Sequence, residues 1–228
     1  MKLLRQVNIG KFGVRPANYS AITHISDNRY AVVDDKEFID GFMFLDIDIN
    51  PQTGKIENVS YEEPKGFVER KNTIDNPESV YRDCEGCAYC AETDTVFISG
   101  EEDQRIVEYD MDGIPTGHEL LVPEYMKRQN IEENYGFEAF TYNNATKLFW
   151  TMTEATLVQD GLRYDLEHKH VQNRLRIQSF GLDLRPGKMY AYKMDTMETK
   201  SEKGNHVHGV PARHWWNYSV DMLMKRLL

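Results

Sequence analysis

The chain has 228 residues, of which 40% are hydrophobic and 28% charged, ordinary proportions for a folded domain. Its formal net charge of −10 argues against nucleic acid and against anionic membranes as partners. It contains no apolar run long enough to span a bilayer and no low-complexity break, so one domain is expected.

The N-terminal M-K-L-L-R-Q-V-N-I-G is too short and too polar for a signal peptide. It reads as a strand, Leu3–Ile9, in a protein that is either cytoplasmic or written without its leader. Ala21–Ile25 and Tyr30–Val33 read as strands joined by a tight S-D-N turn. Gly41–Ile49 alternates as a half-buried strand should, N-P-Q-T-G turns, and Ile56–Tyr61 returns. That makes one four-stranded meander. After a charged connection over 62–82, a second meander is expected at Gly86–Cys90, Val96–Ser99, Arg105–Met111 and Leu120–Val122, the last following the turn D-G-I-P-T-G. Pro123–Asn134 reads as a short helix with Pro in its first turn.

A third meander is expected at Phe137–Tyr142, Leu148–Thr153, Leu175–Leu182 and Met189–Met194. A polar insertion, Ala155–Asn173, interrupts it, and long loops on a rigid scaffold are where specificity tends to sit. Its His168 and His170, like His206 and His208, read as solvated loop histidines. His206–Ala212 resembles the start of a further repeat. Residues 213–228 break the pattern and read either as an amphipathic terminal helix or as the product of a truncated or shifted frame.

The meanders repeat. Glu85 opens one strand and Glu101 closes the next, sixteen residues later; Glu138 and Glu154 do the same. A weaker copy upstream has Ser20 and Asp34, fourteen residues apart. A unit of several short strands with a period near fifty is the mark of a β-propeller blade. Neighbouring strands run antiparallel, so the start of the first and the end of the second share one rim. Asp34, Glu85, Glu101, Glu138 and Glu154 are therefore expected at one mouth of the propeller, with Arg105 and Arg176 beside them. Carboxylate oxygens from several blades suit calcium; the alternative is a set of ion pairs that fix the register between blades.

Cys84, Cys87 and Cys90 form C-x-x-C-x-x-C. A thiolate cluster lacks a fourth ligand nearby, and residues three apart in a strand face opposite ways, so small core residues are expected.

Five segments, Y-A-V-V-D-D (Tyr30–Asp35), D-C-E-G-C-A (Asp83–Ala88), I-S-G-E-E-D-Q-R-I-V-E-Y-D (Ile98–Asp110), N-Y-G-F-E-A-F (Asn134–Phe140) and R-I-Q-S-F (Arg176–Phe180), together resemble the phytase-like family, whose members carry the label "esterase-like activity of phytase". The resemblance covers roughly residues 3–212 and implies an all-β, exported propeller of six blades that hydrolyses phosphoesters or esters. Members are usually longer, and this chain supplies three full blades and part of a fourth, with Ala21 and Ala139 where members tend to have Gly. Two functions are expected on this basis. One is a cation-assisted hydrolase in which Glu85, Glu101, Glu138 and Glu154 hold the cation while Arg105 and Arg176 hold an anionic small molecule. The other is a non-catalytic propeller that binds a ligand or a protein, or an inactive fragment. No G-x-S-x-G elbow is present, and Ser99 has no evident His partner, so a serine mechanism is not expected.

Overall fold

The computed structural model describes residues 6–35, 41–66, 82–165, 167–168 and 170–194. Among them, twelve strands form three four-stranded antiparallel sheets. The first contains β1 (Tyr19–Ser26), β2 (Arg29–Asp34), β3 (Met43–Ile49) and β4 (Ile56–Glu62). The second contains β5 (Cys84–Cys90), β6 (Thr95–Gly100), β7 (Ile106–Tyr109) and β8 (Pro115–Glu119). The third contains β9 (Phe137–Asn143), β10 (Leu148–Thr153), β11 (Arg174–Phe180) and β12 (Pro186–Lys193). Each is a simple meander, and β5 lies against both β1 and β9. In blade two, β5 and β6 are almost wholly buried, while the outermost β8 is almost wholly exposed. These are propeller blades, with their first strands innermost.

Blades pack face to face through strand alternation. In β6, Val96 and Ile98 face the first blade with Ala31, Val33 and Phe44, while Phe97 faces the third with Phe137, Phe140 and Phe149. The Phe97 and Phe149 rings meet at 4.5 Å between centroids.

Three expected elements differ. Residues 6–8 form no strand, and Ile9–Phe12 is a 3-10 turn. The Asn8 side chain accepts the Gly10 N–H at 2.9 Å, and Gly13 ends the turn at φ 86°. The fourth strand of blade two is Pro115–Glu119 rather than Leu120–Val122. The Asp110 carboxylate accepts the N–H groups of Asp112 and Ile114 at 3.0 and 2.9 Å, which completes the turn before Pro115. Leu121 instead crosses to blade three, where its N–H donates to the Leu184 carbonyl at 2.9 Å. The expected helix at 123–134 is two 3-10 turns, Glu124–Met126 and Arg128–Asn130, separated by extended Lys127. Buried Met126 and Ile131 pin this segment to the seam between blades two and three. His206, His208 and the tail 213–228 lie outside the described residues.

All three cysteines are buried thiols outside any disulfide. The bulge at Glu85 shifts the alternation, so Cys84 and Cys87 both face the first blade while Cys90 faces the third. Burial pushes the Cys87 thiol up, which keeps it an inert core group.

Arg82, 7% exposed, ties the rim of blade two together. Its Nε donates to Asp103 at 2.6 Å, its Nη1 to the Tyr109 hydroxyl at 2.9 Å, and its Nη2 to the Ile98 and Arg105 carbonyls at 3.2 Å. Removing one partner of such a buried pair leaves a charge without compensation, at a cost of about 3–5 kcal/mol. Arg82→Met is expected to lose that much stability in urea unfolding, and Arg105→Gln, at an exposed pair, less than about 1 kcal/mol.

Candidate functional site

Each inner strand begins with the same irregularity. Tyr19 pairs with Asp34, Cys84 with Gly100, and Phe137 with Thr153. The next inner residue is skipped each time, which leaves bulges at Ser20, Glu85 and Glu138. A bulge of this kind re-aims its side chain. Just past each second strand stand Asp35, Glu101 and Glu154. Their N–H groups donate to the carbonyls of Asn18, Asp83 and Gly136 at 3.1, 2.8 and 2.8 Å. The sixteen-residue spacing is therefore the distance from a bulge to its closing residue. Blade one turns between β1 and β2 on Asp27 and Asn28 alone, two residues fewer than the other blades, and a bulge at Ile25 adds one back, so its spacing is fifteen. The counterpart of Glu101 there is Asp35, not Asp34; the buried Asp34 carboxylate accepts the Asn18 N–H at 3.3 Å.

Two groups of carboxylates result. Glu85, Glu101 and Glu138 each offer an oxygen, all within 4.8 Å of one another, across the seam between blades two and three. Asp35, Asp83 and Glu85 do the same across the seam between blades one and two. Oxygens bound to one calcium at about 2.4 Å lie no more than about 4.8 Å apart. The donors are hard carboxylates, with no thiolate or imidazole in either group. Residues and spacing alike fit a hard divalent cation.

The electrostatics agree. Burial pushes the Glu85 carboxyl up to about 9, helped by the charges of Glu138, Asp35, Asp83 and Glu101. Glu154 is also raised, by burial and by Glu101, against the opposing charge of Arg163. Without a cation, Glu85 keeps its proton at neutral pH.

The cluster is held by close backbone contacts. The Gly136 N–H donates to Glu101 Oε1 at 2.8 Å, and Gln104 Nε2 donates to the Glu101 carbonyl. A Cβ on Gly136 would lie 2.8 Å from that carbonyl and from Glu101 Cγ, so the approach requires glycine. Asp83 takes a left-handed φ of 51° immediately before β5.

The two expected arginines point elsewhere. Arg105 pairs with Glu119 of β8 at 2.6 Å and is more than half exposed. Arg176 pairs with Asp160 through two contacts of 2.5 and 2.6 Å and lies over the Tyr125 ring. Ser99 is fully buried against the Gly86 carbonyl, beyond reach as a nucleophile. Asp35 and Asp83 were not expected at the site; the doubled aspartate of Y-A-V-V-D-D was the only sequence sign of the first.

A family model described as "Phytase-like: Esterase-like activity of phytase" matches residues 16–221. No curated protein matches the chain. Two solved structures are similar at a distance. A streptogramin B lyase shares 13% identity over 78% of this chain and 55% of its own, with a TM-score of 0.36. The virginiamycin B lyase from Staphylococcus aureus shares 9% identity over 81% of this chain and 86% of its own, with a TM-score of 0.28. The chain thus spans about half the length of the first of these.

A carboxyl whose affinity for its proton is raised by folding costs the protein stability as pH rises wherever the unfolded chain has released that proton and the folded chain has not. Below about pH 4.5 Glu85 is protonated folded or unfolded; above that only the unfolded chain releases the proton, until about pH 9. The cation-free protein is therefore expected to lose melting temperature steadily from pH 5 to 9 in chelator. Glu85→Gln should remove most of that slope; an unchanged slope would show that Glu85 is not the group responsible.

Proposed function

The chain belongs to the phytase-like family, and on that premise we propose that its acidic rim binds calcium and hydrolyses an anionic phosphoester or ester. The observation that carries this reading is the meeting of three carboxylates from two blades, Glu85, Glu101 and Glu138, within the span of one hard cation. Asp35 and Asp83 extend the same rim across the neighbouring seam. The chemistry that a bound divalent cation supplies at such a site is polarisation of a carbonyl or phosphoryl oxygen and of a bound water.

The remaining work falls to the chain. Glu101, fixed by Gly136, and the bulged Glu85 and Glu138 orient the donor oxygens. Glu154, raised and next to Glu101, is the carboxyl suited to moving a proton at the reacting oxygen. The buried Ser99 favours attack by water over a covalent acyl or phosphoryl intermediate. Because Arg105 and Arg176 already hold Glu119 and Asp160, substrate capture by them requires exchanging those partners. Export to the periplasm or the medium belongs to the same proposal; among the described residues, no helix is long and apolar enough to cross a membrane.

The same cluster supports a second reading. Its ligands come from β5, from β9 and from the residue after β6, so a cation there would fasten two blades together without turnover.

Calcium is expected to raise the melting temperature of the whole chain, and Glu101→Gln or Gly136→Ala to abolish most of that rise under either reading. A panel of aryl phosphate and aryl carboxylate esters separates the two. Calcium-dependent turnover that falls at least 100-fold in Glu101→Gln supports the hydrolase, and calcium stabilisation with no turnover leaves the blade staple.

A further inference from the structure

We propose that blade three carries a separate binding pocket for a small oxyanion, formed by Arg174, Lys193 and His170 on the insertion side of the blade. These residues line a depression of about 370 Å3, together with Asp160, Gly161 and Gln172. Arg174 and Lys193 are direct partners across β11 and β12, so their side chains share one face of the sheet. Like charges so placed destabilise a sheet. Among the described residues, neither side chain has an ion-pair partner, in a chain whose net charge is −10. An anion between them turns that repulsion into two charge-assisted hydrogen bonds.

The acid in the depression does not cancel this charge. Asp160 is taken up by Arg176, two residues from Arg174 on the same face of β11. The insertion is packed at its base. Leu157, Tyr164 and Asn173 are almost wholly buried. Asn173 Oδ1 accepts the Tyr164 N–H at 2.6 Å, Thr156 Oγ1 accepts the Arg174 N–H at 3.0 Å, and the Asn173 carbonyl accepts the Met194 N–H at 2.9 Å. The backbone that carries Arg174 and Lys193 is thus anchored, while their side chains and that of His170 are exposed to an incoming anion.

The pocket lies at the same end of blade three as the acidic rim, because β10 ends beside Glu154 and β11 begins at Arg174. A substrate with an anionic group would be held here by cations that have no ion-pair partner among the described residues, whereas Arg105 and Arg176 are occupied. That last link rests on the hydrolase reading; oxyanion binding does not.

The test is calorimetric titration and thermal melting of the whole chain with inorganic phosphate, at constant ionic strength balanced by chloride, with acetate as a second probe. Saturable one-site binding is expected, weakened at least tenfold in the Arg174→Gln/Lys193→Gln double variant. Without phosphate, that variant should melt no lower than the parent. Stabilisation by phosphate alone points to a phosphate-type group, and equal stabilisation by acetate to a carboxylate. Glu101→Gln should bind phosphate as the parent does, which separates this pocket from the metal centre. An equal phosphate response in the parent and the double variant, or one lost in Glu101→Gln but kept in the double variant, overturns the proposal. Should the double variant fail to fold, Lys193→Gln alone is expected to weaken binding about threefold, and an unchanged affinity overturns it.

Discussion

One backbone contact sets the geometry of the acidic rim. In each blade the N–H just past the second strand donates to the carbonyl just before the first, and the inner strand bulges one step later. The contact fixes where the closing acid stands, and the bulge turns the opening acid toward it. Because β1, β5 and β9 lie side by side, the device repeats at adjacent positions. The carboxylates then crowd at the seams between blades rather than within one sheet. Burial and mutual repulsion make that crowding unfavourable unless a proton or a cation relieves it, and both push the Glu85 carboxyl up.

The seams themselves are ordinary strand packing. Alternation in β6 sends Val96 and Ile98 one way and Phe97 the other, so each inner blade face is apolar across its width. This framework holds the rim rigidly enough for Gly136 to matter. Its missing side chain lets the chain before blade three approach the Glu101 carbonyl, and its N–H holds the Glu101 carboxylate. Glu101→Gln tests the charge at this point, and Gly136→Ala tests the approach.

The inner half of every blade was legible in the sequence because its strands are short apolar runs bounded by polar turns. The outer half was less so. β8 contains Pro115 and Gly117 and is exposed, so its five residues read as the end of a turn. The 123–134 segment looked helical by composition, but Met126 and Ile131 are drawn into the seam and interrupt it. The sixteen-residue spacing that singles out Glu85, Glu101, Glu138 and Glu154 is a backbone property, and the first three of these lie together. The expectation of Asp34 rather than Asp35 fails because the first blade has a turn two residues shorter and a bulge at Ile25 that restores one, a net shift no motif shows. Arg105 was expected at the rim because its strand begins there. Strand direction does not say which way a side chain turns, and it turns outward to Glu119. The pairing of Arg174 with Lys193 depends on cross-strand register, which no linear motif displays.

The central claim is that the seam between blades two and three holds one hard cation in place of a proton. Calorimetric titration with calcium at pH 7.5, in two buffers of different ionisation enthalpy, measures both at once. The account predicts one calcium per chain with release of about one proton, the release being lost in Glu85→Gln and the binding in Glu101→Gln. No saturable binding, or binding that Glu101→Gln leaves unchanged, would contradict it and return these carboxylates to a purely structural role.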